Sequence, residues 1–236
     1  MTGSLSELRD DLVLANRILS HEAVVDAFGH VSARHPDHPD RYLISCSKSP
    51  NAVEAGDIVE LTLDSRPVTP TSRRLYIEGV IHGAIYAARP DVHAICHHHA
   101  AAILPYCVTG TALVPISQLG AAGGAMMPLW DSRDDFGDTN LLVATAQQGA
   151  SLARALGPHW IVLMARHGAT VAGRSLREAV FRAVHSCRNA EALTQARMLG
   201  PVEGLSPGEI DLVAKLTPGQ VGRSWEYWLA RLAGNP

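Results

Sequence analysis

The sequence predicts an α/β domain on three observations: a chain of 236 residues that is 47% apolar, amphipathic helical periods near both ends, and short apolar runs bounded by turn residues between them. That length and composition suffice for one full core, so residues 1–236 are read as a single domain. A formal charge of −3 and a pI near 6.4 supply no broad basic field, which argues against nucleic acid and anionic membrane as partners. No apolar run approaches the roughly 18–20 residues of a membrane span, and Met1-Thr2-Gly3-Ser4 lacks a basic-then-apolar leader, so a cytoplasmic location is expected. Cys46, Cys96, Cys107 and Cys187 show no paired metal or redox spacing, and reduced thiols are expected.

Residues 4–19 form an amphipathic helix with Leu5, Leu8, Leu12, Ala15 and Leu19 on one stripe, N-capped by Ser4 with Glu7 three residues on. Residues 24–34, 42–46 and 58–63 read as strands separated by Pro- and Gly-bearing turns, an antiparallel start to a sheet. Ser45, Ser47, Lys48 and Ser49 make a polar turn after the second. A helix carrying Leu75, Ile77, Ile81 and Ile85 stops before Pro90, and residues 92–96 form the next strand. The segment Gly120-Ala121-Ala122-Gly123-Gly124 lacks the ending of a phosphate loop and is read as close packing or a mobile loop over the site. Asp138-Thr139-Asn140 is expected to cap a helix over 141–156, and residues 160–165 form a further strand. Ser175 with Glu178 caps a long helix over 176–199, on which His185 reads as structural. A short helix follows Ser206-Pro207, and Trp225, Tyr227, Trp228 and Leu229 make an aromatic end suited to docking.

The chemistry concentrates in residues 73–99. Side chains alternate along an extended chain, so His97 and His99 project to one side and His98 to the other. Cys96, opposite His97, is expected to be a small core residue. If Glu78 lies on the helix, His82 shares its face four residues on. The helix from Glu78 to Arg89 climbs roughly 17 Å, and the strand back to His97 covers about the same distance, so a strand antiparallel to the helix brings Glu78 level with His97. His167, at the turn Arg166-His167-Gly168 after an apolar run, is the best third imidazole. Three neutral imidazoles around a divalent ion leave charge uncancelled and positions open, which suits a Lewis acid. Most of the twelve histidines, among them His35, His38 and His159, are read as solvated or locally satisfied. Arg73 and Arg74 are either exposed charges or a planar fork for a carboxylate.

The combination of Glu78-x-x-x-His82, His97-x-His99, Arg166-His167-Gly168 ahead of Val171-Ala172-Gly173-Arg174-Ser175-Leu176, and Gly29-His30-Val31-Ser32-Ala33-Arg34 resembles the class II aldolase/adducin family over residues 12–193. The resemblance implies a three-layer αβα fold with a central, mainly antiparallel sheet, one divalent metal ion on His97, His99 and His167, and Glu78 as acid/base. Zn, Mn, Fe and Co all suit those ligands. In the mechanism this suggests, His82 or Arg74 orients Glu78, with His82 counted as a catalytic-site group, and His30, Ser32, Ser47 and Arg74 are the expected substrate contacts. A homotetramer with sites near subunit boundaries is also implied, in which Tyr227 reaches a neighbouring site. Where the sugar-phosphate aldolases carry Ser-Ser before the Glu, this chain has Tyr76-Ile77, and His30 replaces their usual Asn. Asp26-Ala27-Phe28-Gly29-His30-Val31-Ser32, with Arg74-Leu75-Tyr76-Ile77-Glu78 and Phe136-Gly137-Asp138-Thr139-Asn140-Leu141-Leu142-Val143, is instead similar to the branch that decarboxylates hydroxylated aromatic or pyridine dicarboxylates. An aldolase of a sugar or hydroxy-keto acid, an iron-dependent oxygenase of a prenylated hydroxyphenyl acid, and a non-enzymatic scaffold stay open as alternatives.

Overall fold

In the computed structural model of the chain, residues 4–213 and 215–234 are described, so Met1–Gly3 and any reading of them as a leader lie outside the described residues. The elements run α1 (Leu5–His21), β1 (His30–Arg34), β2 (Arg41–Ser45), β3 (Ile58–Thr62), α2 (Gly79–Ala88), β4 (Ala94–His98), α3 (Leu104–Thr109), β5 (Leu129–Trp130), α4 (Ser132–Phe136), α5 (Ala146–Leu156), β6 (Ile161–Met164), β7 (Gly168–Gly173), α6 (Leu176–Leu199), α7 (Pro207–Val213) and α8 (Pro218–Leu232). The strands form one sheet in the order β3-β2-β1-β4-β7-β6-β5, antiparallel throughout except for the parallel β5–β6 pair.

Alternation along the strands divides the core into two layers. Ala94 and Cys96 of β4 and Ala169 and Val171 of β7 pack with Leu12, Ile18, Phe181, Val184, Trp225 and Trp228 from α1, α6 and α8. Ile95 and Ala172 face the other way, onto Ile81, Ile85, Leu152 and Leu156 of α2 and α5. His97 follows Ile95 by two, so it enters the α2/α5 side of the sheet. Cys96 is a buried core residue as expected, and burial pushes its thiol well up. His185 is also buried, 4.3 Å from the Phe181 ring.

Helices α1 and α6 begin where their caps predict: Ser4 and Glu7 form a reciprocal capping box, and the Ser175 side chain accepts from the Glu178 amide. Other boundaries differ. The first strand starts only at His30, because Gly29 (φ +97) turns the chain so closely against His97 that a Cβ there would lie 2.6 Å from Val25 Cγ1. The helix expected over 141–156 begins at Ala146, capped by Thr145 with Gln148, and Thr139 and Asn140 instead accept from the Leu141 and Leu142 amides in turns. Those turns carry Leu141 into a left-handed φ of 67°, which is incompatible with helix. The Gly-rich stretch is no lid. Residues Gly120–Gly123 form a buried turn against α6, with the Asn189 side chain filling the space a Cβ would need at Gly120 and Arg182 donating to the Ala122 carbonyl.

Candidate functional site

Glu78, His97, His99 and His167 meet at one point, with a potential ligand atom from each lying within 4.8 Å of the others. His97 Nε2 is 3.0 Å from His99 Nε2, which is 2.9 Å from His167 Nε2. The Glu78 oxygens lie 3.6 Å from the Nε2 atoms of His97 and His167. Three elements deliver these groups. β4 supplies His97, and His99 follows directly after its last residue, His98. The tight β6–β7 connection supplies His167, held by Arg166 in a left-handed conformation (φ 60°) and by the Arg166–Asp131 ion pair at 2.7 Å. The start of α2 supplies Glu78. That helix starts later than expected, at Gly79, so Glu78 is its N-cap rather than a residue of its interior, and Leu75 and Ile77 lie outside it. The displaced carboxylate points across the site and accepts from the Val143 amide at 3.0 Å.

Thr170 of β7, which the sequence did not single out, lies opposite His97 across the β4–β7 ladder. Its Oγ1 is 3.1 Å from His97 Nδ1 and donates to Met164 Sδ at 3.4 Å. The hydroxyl proton is thereby engaged, so Oγ1 accepts from His97 Nδ1–H and leaves the Nε2 lone pair directed into the cluster. Burial tends to raise the Glu78 carboxyl, but His97, His167 and the Val143 amide outweigh it and hold it at about 2. Burial, with the other imidazoles, lowers His99 to about 4 and pulls His167 down as well. Converging neutral imidazole nitrogens and one carboxylate, all within 4.8 Å of one another, are the donor set that a divalent cation bound about 2.0–2.2 Å from each would satisfy.

Beside the cluster opens a cleft of about 260 Å³ lined by Phe28, His30, Ser47, Lys48, Arg74, Tyr76, Ile77, Glu78, His99 and Leu142 among others. His30, Ser47 and Arg74 therefore stand where substrate contacts were expected. Ser32 does not: it is fully buried, bonded to His82 Nδ1 at 2.6 Å and to the Tyr86 hydroxyl at 2.7 Å. His82 is likewise fully buried and touches His30 Nδ1 at 2.6 Å, not Glu78. The expected Glu78–His82 face is lost because Glu78 leaves the helix before the periodicity begins. Burial lowers His82 to about 3 and His30 well below its ordinary value, with neighbouring histidines adding to the effect. Arg73 is no carboxylate fork, since its guanidinium binds Asp57 at 2.6 Å. Tyr227 is exposed on α8, across the sheet from the cleft, so within its own chain it stays away from the site. The exposed Phe28 and Leu142 at the mouth lie in stretches that carry the family resemblance, but sequence reasoning assigned neither a site role, since single apolar residues in turns do not show which way they face.

The class II aldolase and adducin N-terminal domain model matches residues 10–194. The chain belongs to that family. It is 34% identical over 238 residues to decarboxylase tropJ of Talaromyces stipitatus, across 90% of this chain and 89% of the relative. It is 27% identical to the 3,4-dihydroxyphthalate decarboxylase of Arthrobacter keyseri, across 75% and 73%. Among solved structures, L-fuculose 1-phosphate aldolase from Glaciozyma antarctica PI12 superposes with a TM-score of 0.80 at 21% identity, covering 99% of this chain and 94% of that one. The three-layer aldolase fold and a decarboxylase- or aldolase-type lyase role follow from these matches. Among the described residues no helix is long and apolar enough to cross a membrane.

Proposed function

We propose that the protein is a divalent-metal-dependent decarboxylase of an ortho-hydroxy aromatic or pyridine carboxylate, with Glu78 carrying the proton. The observation that carries this reading is the composition of the cleft: an apolar wall of Phe28, Leu75, Ile77 and Leu142 stands beside the Glu78–His97–His99–His167 cluster, with Arg74 also on the lining. A flat ring fits between such walls, and a guanidinium matches a carboxylate in a planar fork. The decarboxylases among the relatives, one of them named for a dihydroxyphthalate, support the same choice.

His97, His99 and His167 would hold the ion, with Glu78 at its edge. When bound there, a divalent cation supplies Lewis-acid stabilisation of the ring oxygen and carboxylate of the substrate. Glu78, which His97, His167 and the Val143 amide favour as a carboxylate, accepts the proton of the ortho hydroxyl. It then returns that proton to the ring carbon bearing the carboxylate. The carbon–carbon bond breaks, its electron pair restores the aromatic ring, CO2 leaves, and water reprotonates the ring oxygen. Phe28 and Ile77, exposed at the cleft mouth, offer apolar surface to the face of the ring. The reading extends to a homo-oligomer of this chain in which Tyr227, remote from its own cleft, reaches a neighbour's.

The test is a panel of hydroxylated phthalates, hydroxypyridine dicarboxylates and L-fuculose 1-phosphate, assayed under nitrogen for CO2 and for aldehyde. CO2 release from an ortho-hydroxy carboxylate, lost on chelation and restored by zinc or manganese, is the expected result. Aldehyde from the sugar phosphate, or a strict need for oxygen, would overturn it.

A further inference from the structure

Behind His30 runs a line of buried polar groups that the proposed reaction does not use. His30 Nδ1 lies 2.6 Å from His82 Nε2, His82 Nδ1 lies 2.6 Å from Ser32 Oγ, and Ser32 Oγ lies 2.7 Å from the Tyr86 hydroxyl. His82 and Ser32 are fully buried, and Tyr86 is 1% exposed. Every link is one hydrogen bond, and only donors running one way along the whole line can satisfy each group in turn.

Two directions exist. In the first, the Tyr86 hydroxyl donates to Ser32, Ser32 donates to His82 Nδ1, His82 Nε2–H donates to His30 Nδ1, and His30 carries its proton on Nε2. In the second each bond reverses: His30 Nδ1–H donates inward, and Ser32 donates to the Tyr86 oxygen. The Tyr86 proton is then left with no acceptor, because Ser32 is the partner of that hydroxyl among the described residues. If instead Ser32 Oγ accepts from both His82 Nδ1–H and the Tyr86 hydroxyl, the Ser32 proton is the one left without an acceptor, since His82 and Tyr86 are its partners among the described residues. A buried hydroxyl without an acceptor bears its full desolvation cost, so the first direction prevails. The Arg34 guanidinium, 4.7 Å from the Tyr86 ring centre, adds a positive charge that strengthens the phenol as a donor.

We infer that Tyr86, acting through Ser32 and His82, fixes His30 in the tautomer protonated on Nε2. His30 lines the cleft, and its inward nitrogen is committed to His82. It therefore offers a donor to an anionic oxygen of the substrate and is not a fourth metal ligand, since ligation needs a lone pair where His30 presents a hydrogen. Four imidazoles crowd this end of the sheet, with His30 and His97 ring centres 5.1 Å apart. Their partners sort them. Thr170 turns the His97 lone pair inward toward the ligand set, and the Tyr86 line turns a proton outward from His30. Ser32, His82 and Tyr86 are thus positioning residues. Only the identification of the bound oxygen as a carboxylate or phenolate rests on the proposed substrate class; the tautomer does not.

The experiment is long-range proton–nitrogen NMR of the full chain labelled with 15N-histidine, with and without zinc, the His30 signals being assigned by their loss in His30→Gln. The expected spectrum has pyrrole-like Nε2 and pyridine-like Nδ1 for both His30 and His82. Ser32→Ala breaks the line, so His30 should shift toward a tautomer mixture and the zinc-loaded protein should bind salicylate about tenfold more weakly. A wild-type His30 protonated on Nδ1 overturns the inference, as does a Ser32→Ala protein with unchanged His30 signals. If that variant does not fold, the wild-type spectrum alone decides. A correct tautomer in a protein that decarboxylates nothing in the panel would sink the substrate reading and leave this one standing; active decarboxylase with His30 protonated on Nδ1 would do the reverse.

Discussion

Thr170→Val tests how the cluster is held ready for a cation. Thr170 is fully buried in β7, and its hydroxyl is the partner of His97 Nδ1 at 3.1 Å. Valine keeps the shape and the strand preference but removes the acceptor. His97 then either keeps Nδ1–H buried without a partner or moves the proton to Nε2, among the His99 and His167 nitrogens 2.9–3.0 Å apart. The first outcome costs about 1–3 kcal/mol, the desolvation of one buried donor; the second places a hydrogen where a lone pair is needed. In metal-free protein the ring is free to choose the cheaper tautomer, so the fold should lose little. Binding of the ion has no such freedom, and zinc affinity should fall about 10- to 100-fold, the usual effect of removing an outer partner of a ligating histidine. Competition with a chromophoric chelator measures the affinity, and urea unfolding of the metal-free protein measures stability. Wild-type zinc affinity in Thr170→Val would refute both the ligand role of His97 and the bond said to orient it.

Glu78→Gln keeps an oxygen to accept from the Val143 amide and removes the proton carrier, so the melting temperature should stay within a few degrees while kcat for decarboxylation falls about 10²- to 10⁴-fold; parallel calorimetry and CO2 assays check it. Acid should destabilise the metal-free protein. His82 and His98 are fully buried with folded-state pKa values near 3, so the unfolded chain takes up their protons first and stability falls as pH drops below about 6.5. By pH 5 each histidine should remove about 2 kcal/mol relative to pH 7.5, and a urea midpoint unchanged between those pH values would contradict the burial described. Gly168→Ala should cost about 1–3 kcal/mol of stability and weaken zinc binding, because a Cβ there falls on the His98 carbonyl and 3.0 Å from His99 Cδ2, prising β4 from β7; unfolding and chelator titrations read both effects.

Much of this molecule was legible from local pattern. Period-two alternation alone put His97 and His99 on one face and Cys96 on the other, and Ser4 and Ser175 marked the starts of α1 and α6. These features depend on neighbours within a few residues, which the linear chain displays. His167 was legible as the best third imidazole from its turn at the end of an apolar run, and the family resemblance supplied its role as a ligand.

What only the tertiary structure decided lies in contacts made across the sheet. Glu78 reaches the cluster as an N-cap aimed at Val143, 65 residues away, and not as a helical neighbour of His82. His82 and Ser32 pass from catalytic and substrate-contact candidates to buried supports of His30 because the packing of α2 on β1 leaves them no path to the cleft. Arg73 turns to Asp57 while Arg74, one residue on, lines the cleft. Adjacent residues diverge in this way because strand register and packing between distant segments set which side chains meet, and neither is encoded in the spacing of letters along one stretch of chain.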